Sequence, residues 1–241
     1  MTSNSPGLFF LEQIEGKGDF QVLPEESSKH IIQVLRMRVG DHLQLTDGRG
    51  KTAVAVISDD HKKRCTVQVQ IVNEVAKPPL QHTIAIALLK NASRFEWFLE
   101  KAAELGISRI VPLLTTRTEK THFRFDRMKS ILVSAMLQSQ QNWLTELQNP
   151  LAFGDWLQTE QLDKGRFIAH CEPGEKSNLL QPGIFELQSK TVLIGPEGDF
   201  TPKEIEMAIA RGYRPITLGN TRLRTETAGI VAATLLQQTH E

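Results

Sequence analysis

The spacing of apolar and polar positions changes partway along this chain. Up to about residue 75, short runs alternate with period two, as half-buried strands do. Leu8–Leu11 and Asp19–Leu23 read as short strands. Leu43–Thr46 and Thr52–Ile57 flank Asp47-Gly-Arg-Gly50, a hairpin signal because Asp-Gly readily adopts positive φ. Cys65–Val72 alternates strictly. One helix interrupts: Glu25–Arg36 follows Pro24 and sets Ile31, Ile32 and Leu35 on one face. Short strands with a single helix predict a small β-barrel.

Lys77-Pro-Pro79 breaks that pattern, which places a domain boundary between residues 1–75 and 76–241. Thr83–Leu89 is a continuous apolar run, typical of a strand buried on both faces. Ser93 is positioned to cap a helix through Leu105, and Gly106 to end it. Ile110–Leu114 predicts a strand, Phe125–Gln141 a long helix and Arg166–His170 another strand. Two strand-glycine-loop-helix units follow, Thr191-Val-Leu-Ile-Gly-Pro-Glu-Gly-Asp-Phe200 and Ile216-Thr-Leu-Gly-Asn-Thr-Arg-Leu-Arg-Thr-Glu-Thr227. Strands joined by helices predict an α/β fold with parallel pairing. Thr201-Pro-Lys-Glu204 is a capping box with proline at the first helical position. Thr225 reads as the cap of the last helix, whose Ile230, Val231, Leu235 and Leu236 form an apolar stripe.

Composition adds limits. The 241 residues, 40% hydrophobic and 23% charged, suit two modest globular domains. No apolar run approaches the length that spans a bilayer. The N-terminus shows neither the basic nor the hydrophobic region of a signal peptide. Cys65 and Cys171, in no CxxC pattern, lead us to expect free thiols and a cytoplasmic location. Net charge is zero, which argues against bulk electrostatic binding of nucleic acid. Its distribution is uneven, however: residues 76–130 hold ten basic and five acidic side chains, leaving a local basic surface open.

In open α/β sheets, ligands bind beyond the carboxyl ends of the strands. Gly195, Gly198 and Gly219 stand where those ends are predicted, and they would let backbone approach a ligand. No P-loop, dinucleotide fingerprint, nucleophile elbow or zinc-protease motif occurs, and no metal site is expected. Glu197 and Asp199 would repel a phosphate but are compatible with hydroxyls, an amine or a positive charge. S-adenosylmethionine carries all three and no phosphate. The alternative is that both acids only favour the dipole of the next helix. Arg222 and Arg224 precede Glu226, which either orients an arginine, accepts a proton, or forms a structural pair.

Leu193-Ile-Gly-Pro-Glu-Gly-Asp-Phe200, Leu218-Gly and Leu223-Arg-Thr-Glu-Thr-Ala228 together resemble the RsmE-type ribosomal RNA methyltransferases of the SPOUT superfamily. Arg94-Phe-Glu-Trp97, Lys101-Ala-Ala-Glu-Leu-Gly106 and His30-Ile-Ile-Gln-Val-Leu-Arg-Met-Arg-Val-Gly-Asp41 extend the resemblance from about residue 30 to 229. It implies a trefoil-knotted parallel sheet with helices on both faces, preceded by a PUA-like RNA-binding barrel. It implies methyl transfer to N3 of a uridine in small-subunit ribosomal RNA, within a homodimer. S-adenosylmethionine would lie among His170, Leu193, Ile194, Gly195, Pro196, Glu197, Gly198, Leu218, Gly219 and Leu223. Two departures stand out. Asp199 replaces a glycine of the family, and Leu137 and Gln141 stand where it has a Glu and an Arg.

For catalysis we expect Arg224 to stabilise charge on the base, with Glu226 as its partner or as a proton acceptor. For RNA contact we expect Arg36 and Arg38 in the first domain, and Lys90, Arg94, Lys101, Arg117 and Lys120 in the second. The sequence leaves two rivals: a non-catalytic RNA-binding assembly factor, and a SPOUT methyltransferase acting on another nucleotide.

Overall fold

The structure is a computed structural model that describes residues 7–159 and 165–238. Contacts divide the chain into two units: Met1–Lys77 with Met136–Leu144, and Pro78–Ala135 with Thr145–Glu241.

The first unit is a five-stranded sheet of β1 (Leu8–Phe10), β2 (Phe20–Val22), β3 (His42–Thr46), β4 (Lys51–Asp59) and β5 (Thr66–Glu74). Its order is β1-β3-β4-β5-β2, parallel at β1–β3 and antiparallel elsewhere. Register shifts at Val54/Ala55 and Ile57/Asp59 accompany its curl. The alternation read from the sequence sends Leu43, Leu45, Ala53, Ala55, Ile57, Val67 and Val69 into one core. At the β3–β4 turn, Asp47 Oδ1 accepts from the backbone N–H of Arg49 and of Lys51.

The expected helix divides in two. α1 (Glu25–Lys29) passes into a π-helical turn, His30–Val34, closed by Leu35 N–H to the His30 carbonyl. The chain leaves through Arg36 at φ 57°. Residues 136–144 group with this unit, where a boundary near residue 75 had left them in the second. Backbone pairing of Arg49 with Trp143, and Trp143 Nε1–H donating to the Ala76 carbonyl at 3.1 Å, hold them there. Such pairing across some 90 residues of sequence leaves no local pattern to read.

The second unit is built on β6 (Gln81–Ala87), β7 (Arg109–Leu114), β8 (Glu146–Leu147), β9 (Leu151–Ala152), β10 (Gly165–Ala169), β11 (Ser189–Ile194) and β12 (Arg214–Ile216). All pairings are parallel, in the order β12-β10-β11-β6-β7-β8, with β9 also on β7. The helices are α2 (Ala92–Glu104), α3 (Phe125–Gln138), α4 (Phe153–Gln158), α5 (Pro202–Ala210) and α6 (Thr225–Leu236). Ala85, Val111, Ile168 and Leu193 join one core with Phe153 and Trp156 of α4 and Ile205 and Ala208 of α5. Ile86, the neighbour of Ala85, meets the other face, where Gly229 of α6 lies against Phe98 of α2 and Ile86. Helices therefore cover both faces of the parallel sheet, as expected.

Two caps differ from expectation. Asn91, not Ser93, caps α2, its side chain accepting from Ser93 N–H. Arg224, not Thr225, occupies the N-cap of α6, since Thr225 is already the buried first residue of the helix; arginine has no side-chain acceptor and makes no cap bond. The capping box on α5 is present, with Thr201 and Glu204 bonded reciprocally.

Candidate active site

β10, β11 and β12 end level: Ala169 is in register with both Ile194 and Ile216. All three residues line a cavity of about 700 Å³ beyond the carboxyl ends of the sheet. β10 separates β11 from β12, so the two glycine loops meet across a strand that belongs to neither.

From the first loop, Gly195, Pro196, Glu197 and Asp199 line the cavity. From the second come Leu218, Gly219, Leu223 and Arg224, and from the end of β10 comes His170. The structure therefore brings together His170, Ile194, Gly195, Pro196, Glu197, Leu218, Gly219, Leu223 and Arg224. Two of the named positions lie elsewhere. Leu193 points into the sheet core, and Gly198 is backed by the side chain of Arg117.

The glycines have different reasons. A Cβ on Gly195 would sit 3.0 Å from Phe200 N and 3.2 Å from Asp199 Oδ1, so this glycine closes the loop on itself rather than leaving room for a ligand. Gly219 has φ 136°, backbone that other residues rarely adopt, and open space where its Cβ would be. Asp199, at φ 64°, takes the left-handed conformation in place of a glycine. Its carboxylate accepts from Cys171 N–H and Phe200 N–H, each at 2.7 Å, tying the β11 loop to the exit of β10. Glu197 accepts from the backbone of Lys90 at 3.1 Å. Both acids are thus partly engaged by backbone N–H groups, which their sequence positions did not foretell.

The half-buried His170 has its pKa lowered, first by burial and then by Lys176, with Asp199 and Glu172 opposing. Lys176 lines the cavity and donates to the His170 carbonyl at 2.7 Å. No sequence signal had singled it out.

Arg94, expected at an RNA surface, lines the cavity instead. Its Nε lies 3.6 Å from Glu226 Oε1. Glu226 is 93% buried in the first turn of α6, outside the cavity lining, and the arginine it meets is Arg94 rather than Arg224. Among the described residues, Glu226 Oε2 has no hydrogen-bond partner. Arg222 and Arg224 are exposed and make no side-chain hydrogen bond or ion pair among the described residues.

The other expected RNA contacts are scattered. Lys90 pairs with Glu119, and Lys101 with Glu100 and Glu104. Arg117 donates to the Gly198 carbonyl. Lys120 is exposed in the second unit, and Arg36 and Arg38 are exposed in the first, with Arg38 3.9 Å from Asp60. Among the described residues no cluster of metal-ligating side chains occurs, and no helix is long and apolar enough to cross a membrane.

Comparison with known proteins adds independent findings. Residues 76–237 match a family model described as an RNA methyltransferase domain, and residues 23–70 match an RNA methyltransferase PUA domain. The chain is 35% identical over 213 residues to the ribosomal RNA small subunit methyltransferase E of Synechocystis, spanning 84% of this chain and 68% of the relative. A probable rRNA-methyltransferase from Porphyromonas gingivalis superposes with a TM-score of 0.85 at 35% identity, covering 94% of this chain and 95% of that one. The ribosomal RNA small subunit methyltransferase E of Neisseria gonorrhoeae, bound to S-adenosyl methionine, superposes with a TM-score of 0.84 at 25% identity, covering 96% and 97%.

Proposed function

This chain belongs to the RNA methyltransferase family, and on that premise we propose that it uses S-adenosylmethionine to methylate N3 of a uridine in small-subunit ribosomal RNA. The observation that carries the reading is the cavity itself, where two glycine loops and three level strand ends meet within the matched domain.

The residues fit the cofactor. Ala169, Ile194, Ile216, Leu218 and Leu223 offer apolar walls for a purine, and backbone at Gly195 and Gly219 borders the same space. When bound, the cofactor supplies an electrophilic methyl group on a sulfonium. His170, Pro196 and Glu197 complete the wall, with Leu193 and Gly198 supporting it from behind. Arg224, at the lip, adds positive potential where negative charge grows on the pyrimidine.

Residues 1–75 form the RNA-binding domain in this reading, contacting phosphate through Arg36 and Arg38. Residues 76–241 form the transfer domain, with Lys90, Lys101, Arg117 and Lys120 as further phosphate contacts. N3 lies on the Watson–Crick edge, so the target base must be unpaired or flipped. The protein works in the cytoplasm as a homodimer, and its second domain is threaded as a trefoil. The partly exposed Ile230, Val231 and Leu235 of α6 support a covered dimer face. The insertion of β11 between β10 and β6 supports the threading.

Two measurements test the reading. S-adenosylmethionine should bind the purified protein in a calorimetric titration. Small subunits or their RNA, incubated with protein and cofactor, should gain one methyl group on uridine N3, located by mass spectrometry of nuclease fragments. Cofactor binding with a methyl group on another atom would overturn the choice of target. Absence of binding by folded protein would overturn the enzyme.

A further inference from the structure

Glu226 is a buried carboxylate facing a guanidinium from another helix. One of its oxygens has no partner among the described residues, and the other is held 3.6 Å from Arg94 Nε. A carboxylate this buried is costly to keep charged unless a fixed cation accompanies it, and its place in the first turn of α6 adds only the helix dipole. Arg94 is that cation. Its guanidinium makes no hydrogen bond among the described residues, and its side chain lines the cavity. Arg222, Arg224 and Lys176 also line the cavity, but neither arginine has a carboxylate bracing it, and Lys176 is occupied by the His170 carbonyl.

We propose that Arg94 is a catalytic residue, its terminal nitrogens donating to a carbonyl oxygen of the target uracil, and that Glu226 is the positioning residue that holds it there. The proposal rests on the function proposed above. The N3–H bond breaks and its proton passes to solvent, leaving negative charge shared between N3 and the flanking carbonyl oxygens. The N3 electron pair then forms the bond to the methyl carbon. The carbon–sulfur bond breaks with its pair remaining on sulfur, so an anion and a sulfonium give two neutral products. A guanidinium fixed in advance beside the carbonyl oxygen lowers the cost of the anion, and fixing it is what distinguishes useful from wasted charge.

The test is a double-mutant cycle with a chemical rescue. Arg94→Gln should lower kcat about 100-fold while leaving the Kd for S-adenosylmethionine within about twofold. Because a lone buried Glu226 could destabilise that variant, Arg94→Gln/Glu226→Gln is made alongside it, and thermal melting reports whether each folds. Glu226→Gln alone should lower kcat about tenfold, and should have little further effect once Arg94 is gone. RNA carrying 5-fluorouridine, more acidic at N3, should recover much of the lost rate in the Arg94 variants. The limb of the kcat profile that rises with pH as N3 ionises should also move to higher pH in those variants. His170, Cys171, Lys176, Glu197, Asp199, Arg222 and Arg224 are the other ionisable or charged groups around the cavity, and they are common to both proteins compared. Additive losses, no rescue by the acidic base, or a parallel fall in cofactor affinity would overturn the assignment. Failure of the unsubstituted protein to methylate uridine N3 would instead overturn the reading beneath it.

Discussion

Two loops border the cavity, and they are built on opposite plans. The loop between β11 and α5 is tied down along its length. Glu197 takes the Lys90 N–H, Asp199 takes those of Cys171 and Phe200, and Arg117 reaches the Gly198 carbonyl. Glu204 then closes the capping box and also accepts from Thr116 N–H at 2.8 Å. The loop between β12 and α6 is anchored at its start, where Thr217 N–H meets the Ser177 carbonyl and Thr217 Oγ1 meets Gly219. Beyond that point it presents Arg222 and Arg224, and the α6 N-cap makes no side-chain cap bond. One loop satisfies its own polar groups. The other leaves cations and helix N–H groups available to a ligand.

That contrast predicts the largest loss at the self-satisfied loop. Gly195→Val would drive methyl groups into Phe200 N and Asp199, where even a Cβ is too close. It should cost about 3 kcal/mol by overpacking and abolish cofactor binding. Calorimetric titration beside a thermal melt measures both, and unchanged binding would mean that the loop yields where its bonds say it does not.

Glu204→Ala should come next. This side chain is only 5% exposed and accepts from both Thr116 and Thr201. Burial pushes its pKa up, but those hydrogen bonds outweigh burial and hold it below the usual value of 4.5. Loss of the acceptor should cost about 3 kcal/mol, read as a lowered denaturant midpoint. An equal loss from substituting any polar residue of the second loop would erase the comparison.

A third effect arises away from both loops. Burial, then the charge of Lys190, lowers the pKa of His82 from 6.5 to about 4. Unfolded chain therefore binds the proton first as acid is added. The contribution is fully present above pH 6.5 and is lost as pH falls from 6.5 towards about 4. It should amount to about 3 kcal/mol. Denaturant midpoints across that window should flatten in His82→Leu, while the Gly195 variant keeps the slope.

The sequence read well where physics is local. The Asp47-Gly turn, the capping box at Thr201 and the apolar run through Ile84 and Ile86 depend on neighbours a few residues away, and all occur as expected. What it hid were the long connections. Nothing near Trp143 announces its pairing with Arg49, nothing near Arg94 announces Glu226, and β12 lies beside β10 rather than beside β11. The reading of the glycine loops was right about where the cavity lies and incomplete about why. Gly195 is small because Phe200 and Asp199 fill its space, a cause visible only once the loop is folded.

On the open loop the effects should be smaller and should fall on turnover. Arg224→Ala removes a lip cation that no carboxylate braces, so kcat should drop about tenfold with the cofactor Kd nearly unchanged. Equal losses in both would move Arg224 from the reacting base to the cofactor.

Gly219→Ala is the finest test. The added methyl meets nothing within 4 Å, so only backbone strain at φ 136° opposes it. A loop with few bonds relieves such strain by shifting, which limits the cost to about 1 kcal/mol and the loss of cofactor affinity to about fivefold. At Gly195 space is the obstacle and no shift of a well-bonded loop relieves it. At Gly219 conformation is the obstacle and the loop has room to move. Should Gly219→Ala instead match Gly195→Val in the titration, the second loop would be as rigid as the first, and its spare N–H groups would need a structural role rather than a ligand.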